Sequence, residues 1–165
     1  MKLIKLVCEK LRFLDELTLV ARFPHETKKI IMNEIQNILD VTFPFVKTLL
    51  SDYGEFYPLA SAVNNNYEVE QVVREEDEEN DFPKSTSVIG ELKKELRSNR
   101  NNFKAIAIFY DVNVKERKTD AVAVSVEHKE ERLAYIFYYA YEMVEGKPKF
   151  SESWKVVKEM EIFTE

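Results

Sequence analysis

Glycine is scarce in this sequence, and its scarcity excludes two classes of nucleotide-binding protein. The 165 residues include three glycines, at positions 54, 90 and 146. Walker A loops and dinucleotide-binding turns both need closely spaced glycines, so that the backbone can approach a phosphate group. Three glycines this far apart form neither motif.

Cysteine and histidine are also rare. Cys8 is the single cysteine, so the fold needs no internal disulfide bond and no oxidising compartment. His25 and His128 lack the short spacings typical of zinc sites. Residues 75–81, EEDEEND, offer oxygen ligands but lack the glycine turn of a calcium loop. We therefore expect no metal and no cofactor, and an inert Cys8 beside an apolar helical stripe.

No long apolar run is present. The first ten residues mix charged and apolar side chains, unlike the unbroken apolar stretch of a signal peptide. No segment approaches the roughly 18 apolar residues of a membrane-spanning helix. With 45% hydrophobic and 12% aromatic residues, the composition is globular. We expect one cytoplasmic domain over residues 1–165, with no membrane partner: a helical segment (residues 1–52), then a sheet with one inserted helix (residues 53–165).

Basic residues are not clustered, whereas acidic residues are. The net charge is −6. Residues 64–82 alone contribute −7, because they contain eight acidic residues and one arginine. Nucleic-acid-binding proteins need clustered Lys and Arg, so we expect no nucleic-acid partner. The acidic segment is a candidate surface for a basic protein, or alternatively a solvated connection. Its central residues are Glu75, Glu76, Asp77, Glu78 and Glu79.

Apolar spacings of three and four residues predict two helices in the first third of the chain. The first stripe consists of Leu3, Val7, Leu11, Leu14 and Leu17. The second stripe covers residues 30–50 and includes Phe45. Pro44 must kink or split that helix, and Gly54 can end it in a left-handed conformation.

After Gly54 the apolar period changes to two, which is typical of strands. Residues 56–63 and 67–74 flank three asparagines suited to positive φ, so we predict a hairpin. A third helix follows over about residues 85–99, capped by Ser85, Thr86 or Ser87. Four strands, at residues 103–115, 119–129, 133–145 and 154–163, have connections short enough for an antiparallel meander. The predicted fold class is α+β, with one mainly antiparallel sheet.

The central strands are apolar on both faces. Ala121 and Ala123 share one face of their strand, and Val122 and Val124 share the other. A sheet with one wet side alternates cleanly, so both faces need cover. We expect helices on one face and the N-terminal segment or a curled strand on the other, within a monomer. The alternative is a homodimer or a partner surface on the Ala121/Ala123 face.

A row of tyrosines is a second candidate for partner binding. Tyr135, Tyr139 and Tyr141 lie on one face of their strand. Tyrosine suits recognition because its ring buries area and keeps a polar tip. Cross-strand packing inside the core is the alternative reading of the same row.

The candidate cleft residues are Glu55, Asp120, Glu127 and His128. Glu127 and His128 are neighbours in a strand and therefore point to opposite faces, so they cannot act as a pair. Asp111 and Asn113 could line a cleft or meet solvent. No nucleophile motif accompanies these residues, and we predict no catalytic residue.

Two short motifs resemble a family of small bacterial domains. Residues 53–60 read YGEFYPLA, similar to that family's G-E-F-Y-P-F-like strand start. Residues 119–128 contain DAV and EH, similar to its later D-A-I…E-H strand. The resemblance extends over roughly residues 45–145. It implies a bacterial origin and the register of these strands, and no established activity.

The function is open to three hypotheses. The first is a non-catalytic protein-binding domain, such as an immunity-type inhibitor of a basic toxin, by analogy with small acidic bacterial proteins of this build. The second is a small-ligand-binding or sensory domain with a pocket on a curved sheet. The third is an enzyme whose residues assemble only in the folded chain.

Overall fold

The computed structural model describes residues 25–72 and 84–164. Their helices are α1 (His25–Tyr53) and α2 (Ser85–Ser98), and their strands are β1 (Leu59–Asn64), β2 (Val69–Val72), β3 (Phe103–Val114), β4 (Thr119–His128), β5 (Leu133–Val144) and β6 (Lys147–Val157). The predicted α+β class with an antiparallel sheet is confirmed. The first predicted helix with Cys8, and the acidic residues 75–79, lie outside the described residues. Neither described helix combines the length and apolar character needed to cross a membrane.

The six described strands form one sheet in the order β2-β1-β3-β4-β5-β6. Each pair of neighbours is antiparallel, and β3 to β6 form the predicted meander. The three meander turns contain residues with φ of 51°, namely Lys118, Arg132 and Glu145. Left-handed turn residues match the twist of the strands that they join. β2 and β6 lie at the two edges of the sheet.

The predicted hairpin of β1 and β2 is present, but its turn differs in detail. The side-chain oxygen of Asn64 accepts the N–H groups of Asn66 at 2.9 Å and Glu68 at 3.1 Å. The positive φ belongs to Tyr67, at 65°, and not to an asparagine. Asn64 therefore shapes the turn by hydrogen bonding rather than by its own backbone conformation.

Helix α1 continues through Pro44 without splitting. The Thr48 hydroxyl donates to the Pro44 carbonyl at 3.1 Å. Gly54 has a φ of 76° and donates its N–H to the Leu50 carbonyl, which is the predicted left-handed end. The predicted apolar stripe was wrong at Phe45, which is 48% exposed. One residue corresponds to about 100° of rotation around a helix, so Phe45 faces away while its neighbour Val46 is buried.

Each face of the sheet carries a hydrophobic core. On the α1 face, Ile38, Val46 and Leu50 belong to one cluster with Phe109 and Val124. On the opposite face, which we call the α2 face, the cluster joins Val88, Leu92 and Leu96 to Ile106, Ile108, Ile162 and Phe163. Among the described residues, α1 from the N-terminal segment covers one face, and α2 with the C-terminal residues covers the other.

Three predicted boundaries need correction: both ends of β6 and the cap of α2. β6 begins at Lys147, where the sequence predicts a loop over residues 146–153. The strand includes Pro148, which an edge strand tolerates because one side of its backbone needs no partner. Residues 158–163, predicted as strand, instead cross the α2 face. At the start of α2, Lys84 is the N-cap and makes no side-chain cap bond, so the predicted Ser or Thr cap is wrong.

Candidate functional site

The four predicted cleft residues do not meet at one site. Asp120 lies near the start of β4, and Glu127 and His128 lie at its end. Eight residues of strand separate Asp120 from His128 by roughly 26 Å. Glu55 lies at the same end of the sheet as Asp120, and the charges of both carboxylates contribute to the raised pKa of Tyr141.

Glu127 binds the C-terminal residues of the described chain. Its side chain is fully buried, and Oε1 accepts Nζ–H of Lys158 at 2.7 Å. The backbone N–H groups of residues 161–163 donate to its two carboxylate oxygens at 2.8, 2.9 and 3.2 Å. Four donors on one carboxylate explain why residues 158–163, which we call the C-terminal strap, leave the strand direction.

Glu161 links the strap to α2. Its carboxylate pairs with Lys93 and, at 3.2 Å, with Lys158. The Arg97 guanidinium donates to the Glu161 carbonyl at 2.8 and 3.1 Å. Burial acts to raise the pKa of Glu161, but the hydrogen bonds and charges of Lys93 and Lys158 outweigh it, so the pKa is lowered.

His128 is buried on the α1 face, where its Nε2 contacts the Glu34 carboxylate. Its Nδ1 accepts the backbone N–H of Glu131 at 3.3 Å. A neutral imidazole that accepts at Nδ1 carries its proton on Nε2, so Nε2–H donates to Glu34. Nε2 therefore ties the end of β4 to α1, and Nδ1 ties it to the turn before β5.

A polar cluster occupies the other end of the α1 face. The Tyr141 hydroxyl donates to Asp111 at 2.9 Å, and the Asn113 amide donates to Asp120 at 2.8 Å. Burial raises the pKa of Asp111; the Tyr141 hydrogen bond opposes this, and the charges of Asp120 and Glu55 add to it. Burial and the bond to Asp111 also raise the pKa of Tyr141. Within residues 25–72 and 84–164, no three His, Cys, Asp or Glu are placed to hold a metal ion.

The predicted tyrosine row packs mainly beneath α1. Tyr139 is 2% exposed and Tyr141 is 5% exposed. The Phe43 ring meets the Tyr139 ring edge-on, with centroids 4.8 Å apart. Tyr135 is half-buried, and the Lys155 ammonium lies 4.8 Å from its ring centroid. Tyr135 is thus the member of the row that reaches the surface.

A second aromatic row, which the sequence analysis missed, lies on the α2 face. Strand register aligns Tyr110, Ala123, Tyr138 and Trp154 across β3 to β6. Ala123 is fully buried, whereas Tyr110, Tyr138 and Trp154 are half-buried. The Tyr138 and Trp154 rings stack with centroids 5.2 Å apart. This row belongs to the Ala121/Ala123 face, which the sequence indicates as an alternative partner surface.

β6 adjoins this row, and no described strand pairs with its outer side. Lys147, Pro148, Lys149 and a shift in register protect its first half from strand addition. Residues 153–157, which we call the open edge, contain no proline and follow that shift. Val156 is 43% exposed and Val157 is 80% exposed. In the sequence, the pattern that could have indicated this surface is the single tryptophan, Trp154, followed by Lys155 and Val156.

Comparison with known proteins supplies no family. The chain matches no protein-family model, no curated protein and no solved structure at a significant level. The resemblance to small bacterial domains rests on its two motifs alone.

Proposed function

We propose that this chain is a non-catalytic protein-binding domain, and that an extended segment of another protein binds along the open edge of β6. The observation that carries the proposal is the exposure of Val156 and Val157 beside Trp154 on β6, whose outer side pairs with no described strand. Such an edge presents backbone N–H and C=O groups to a further strand. The apolar side chains beside it supply area that a partner buries.

An extended protein segment fits this edge because it can use both faces of β6 at once. Trp154 and Val156 pair with Tyr138 and Ile136 on the α2 face, and Lys155 and Val157 lie on the α1 face. A seventh antiparallel strand would continue the pattern of the whole sheet. Backbone hydrogen bonds then contribute affinity, and alternate side chains contribute specificity.

The contacts of the ionisable side chains support a binding role rather than catalysis. Both carboxylate oxygens of Glu127 accept hydrogen bonds from the strap, and both ring nitrogens of His128 have partners. Asp111 accepts the Tyr141 hydroxyl in the same way. A general acid or base must reach a substrate, and these groups are engaged within the fold.

A basic partner, as for an immunity-type inhibitor of a toxin, remains a prediction from the sequence. It depends on residues 75–79, which lie outside the described residues. An increase in salt should weaken the binding of a basic partner to that segment.

A library of short extended peptides, selected for binding to the whole chain, tests the proposal. Bound peptides should slow amide hydrogen exchange of residues 153–157. Val156→Lys should weaken their binding about tenfold, since it removes an apolar side chain that a bound peptide would bury. Tyr53→Ala is the matched control, because Tyr53 is 75% exposed and far along the chain from β6.

Two results would contradict this proposal. The first is protection confined to other parts of the chain, with binding that Val156→Lys leaves unchanged. The second is a homodimer in sedimentation equilibrium that dissociates on Val156→Lys, since a second copy would then occupy the edge. We expect a monomer in the absence of peptide.

A further inference from the structure

We infer that the C-terminal strap regulates binding at the open edge. Docking of the strap on Glu127 holds the last residues of β6 in the sheet, and a segment bound at the edge stabilises the docked strap in return. This inference rests on the proposed function and specifies how that surface is regulated. The open edge, residues 153–157, and the strap, residues 158–163, are consecutive in the chain.

Lys158 joins the open edge to the strap. Its backbone N–H donates to the Ala134 carbonyl at 3.1 Å, which continues the pairing of β6 with β5 by one residue beyond Val157. Side chains alternate between the two faces along a strand, so Lys158 lies on the α2 face, as Trp154 and Val156 do. The next side chain along the binding surface is therefore the first one of the strap.

Glu127 holds Lys158 from the far side of β5. Ala134 lies opposite Glu127 in the pair of β4 and β5, so Glu127, Ala134 and Lys158 form one row across the α2 face. The Lys158 ammonium reaches the fully buried Glu127 carboxylate at 2.7 Å, and the lysine side chain is only 11% exposed. The same carboxylate accepts the backbone N–H groups of residues 161–163. One buried charge thus fixes both the end of β6 and the strap.

The docked strap prepares the end of β6 for a further strand. Release of a few residues costs less free energy than unfolding of the whole chain. When the strap is released, Lys158 leaves Glu127, and among the described strands only β5 then holds the end of β6. A partner that binds this state must order those residues, and ordering costs affinity. The docked state already has them in place and therefore binds more tightly.

Coupling of this kind is reciprocal. If docking raises the affinity of the edge for a peptide, the bound peptide favours the docked strap by the same factor. We expect a factor of about five, at the lower end of the usual range, because docking orders only the end of β6. Glu127 acts here as a positioning residue through Lys158.

The affinity of Glu127→Gln for peptides that protect residues 153–157 tests the inference. Their dissociation constants should be about fivefold higher than in the native chain. Arg97→Gln, which loosens the strap from α2 and leaves Glu127 in place, should weaken binding by a smaller factor. Leu50→Ala is the matched control and should leave the affinity unchanged. It destabilises the chain to a comparable extent, from a core cluster whose described members include no strap residue.

Amide exchange in the native chain gives a second readout that needs no substitution. Saturating peptide should slow the exchange of residues 161–163 about fivefold, and this slowing should be lost in Glu127→Gln. A purely structural role of Glu127 would lower stability but would leave the exchange of the strap unaffected by peptide.

The outcomes separate this inference from the proposed function. If peptides protect residues 153–157 but bind Glu127→Gln as tightly as the native chain, the regulation is wrong and strand addition stands. Equal weakening in Glu127→Gln and Leu50→Ala would also overturn it, because the effect would then be general destabilisation. If no library peptide protects residues 153–157, the proposed function fails, and the inference fails with it.

Discussion

Replacing Glu127 by Gln tests whether one buried carboxylate holds the C-terminal strap in place. The substitution keeps the size of the side chain and removes its charge. One of the two acceptor oxygens becomes an NH2 group, which would point at backbone N–H donors of the strap. At least two of the four hydrogen bonds to Glu127 are therefore lost.

The expected loss follows from those contacts. Hydrogen bonds to a charged group contribute about 1.5–3 kcal/mol each. Lys158 also loses its buried partner, although Glu161 remains 3.2 Å away and limits that cost. We expect the free energy of unfolding to fall by about 3 kcal/mol. For a chain of 165 residues, this corresponds to a melting temperature roughly 6–12 °C lower.

Urea denaturation and thermal melting measure the global effect, and amide exchange locates it. Residues 161–163 should exchange faster in Glu127→Gln, while the central strands remain protected. Glu152→Gln is the control, since that exposed pair with Arg117 should contribute less than about 1 kcal/mol. An unchanged melting temperature and unchanged exchange at residues 161–163 would refute the assignment of Glu127 as the anchor of the strap.

Three further predictions test the core, the polar cluster and the helix end. Phe43→Ala should lower the free energy of unfolding, measured in urea, by about 3–5 kcal/mol. Phe45→Ala should change it by less than about 1 kcal/mol. Equal losses in the two variants would contradict the orientation of α1. Asp111→Asn should stabilise the chain at pH 7, because burial raises the pKa of Asp111 in the folded state above its ordinary 3.8. That gain in stability should disappear as the pH falls through the raised pKa of Asp111 towards 3.8. A gain that does not depend on pH would refute burial of the charged carboxylate as its cause. Gly54→Ala, at a φ of 76°, should lower the melting temperature at a cost of about 1 kcal/mol. Gly90→Ala, where an added Cβ meets no atom within 4 Å, should raise it, and shifts of the same sign would contradict this distinction.

The sequence predicted the features of the fold that depend on neighbouring residues. Alternating apolar side chains are a local property, so β3, β4 and β5 were placed within one or two residues of their observed ends. The apolar character of both strand faces also predicted two cores. Gly54 was identified as the end of α1 because a left-handed residue there favours glycine.

The features that the sequence did not predict depend on distant contacts. The strap leaves the sheet because Glu127, 34 residues before Glu161, binds its backbone. β6 begins at Lys147 and includes Pro148, which its position at the edge of the sheet permits. Tyr139 is buried because Phe43 of α1 packs against its ring, whereas Tyr138 is half-buried and stacks on Trp154 of the edge strand.

The candidate site was missed for a related reason. The sequence predicted that Trp154 begins a strand continuing to residue 163. That prediction gave no indication that the strand lies at the edge of the sheet or that Val156 and Val157 are exposed. Glu127 and His128 were candidates because a carboxylate beside an imidazole in the sequence suggests acid–base catalysis. Their partners, Lys158 and Glu34, come from opposite ends of the described chain, and no local sequence pattern predicts these contacts.

The most direct test of strand addition is the set of interstrand nuclear Overhauser contacts between a selected peptide and the chain. At 19.5 kDa the protein is small enough for this measurement in solution. We predict backbone contacts between the peptide and residues 153–157 in an antiparallel register, with peptide side chains near Trp154 and Val156. Contacts confined to another surface, such as the exposed side of α1 around Phe45, would contradict the proposed binding edge.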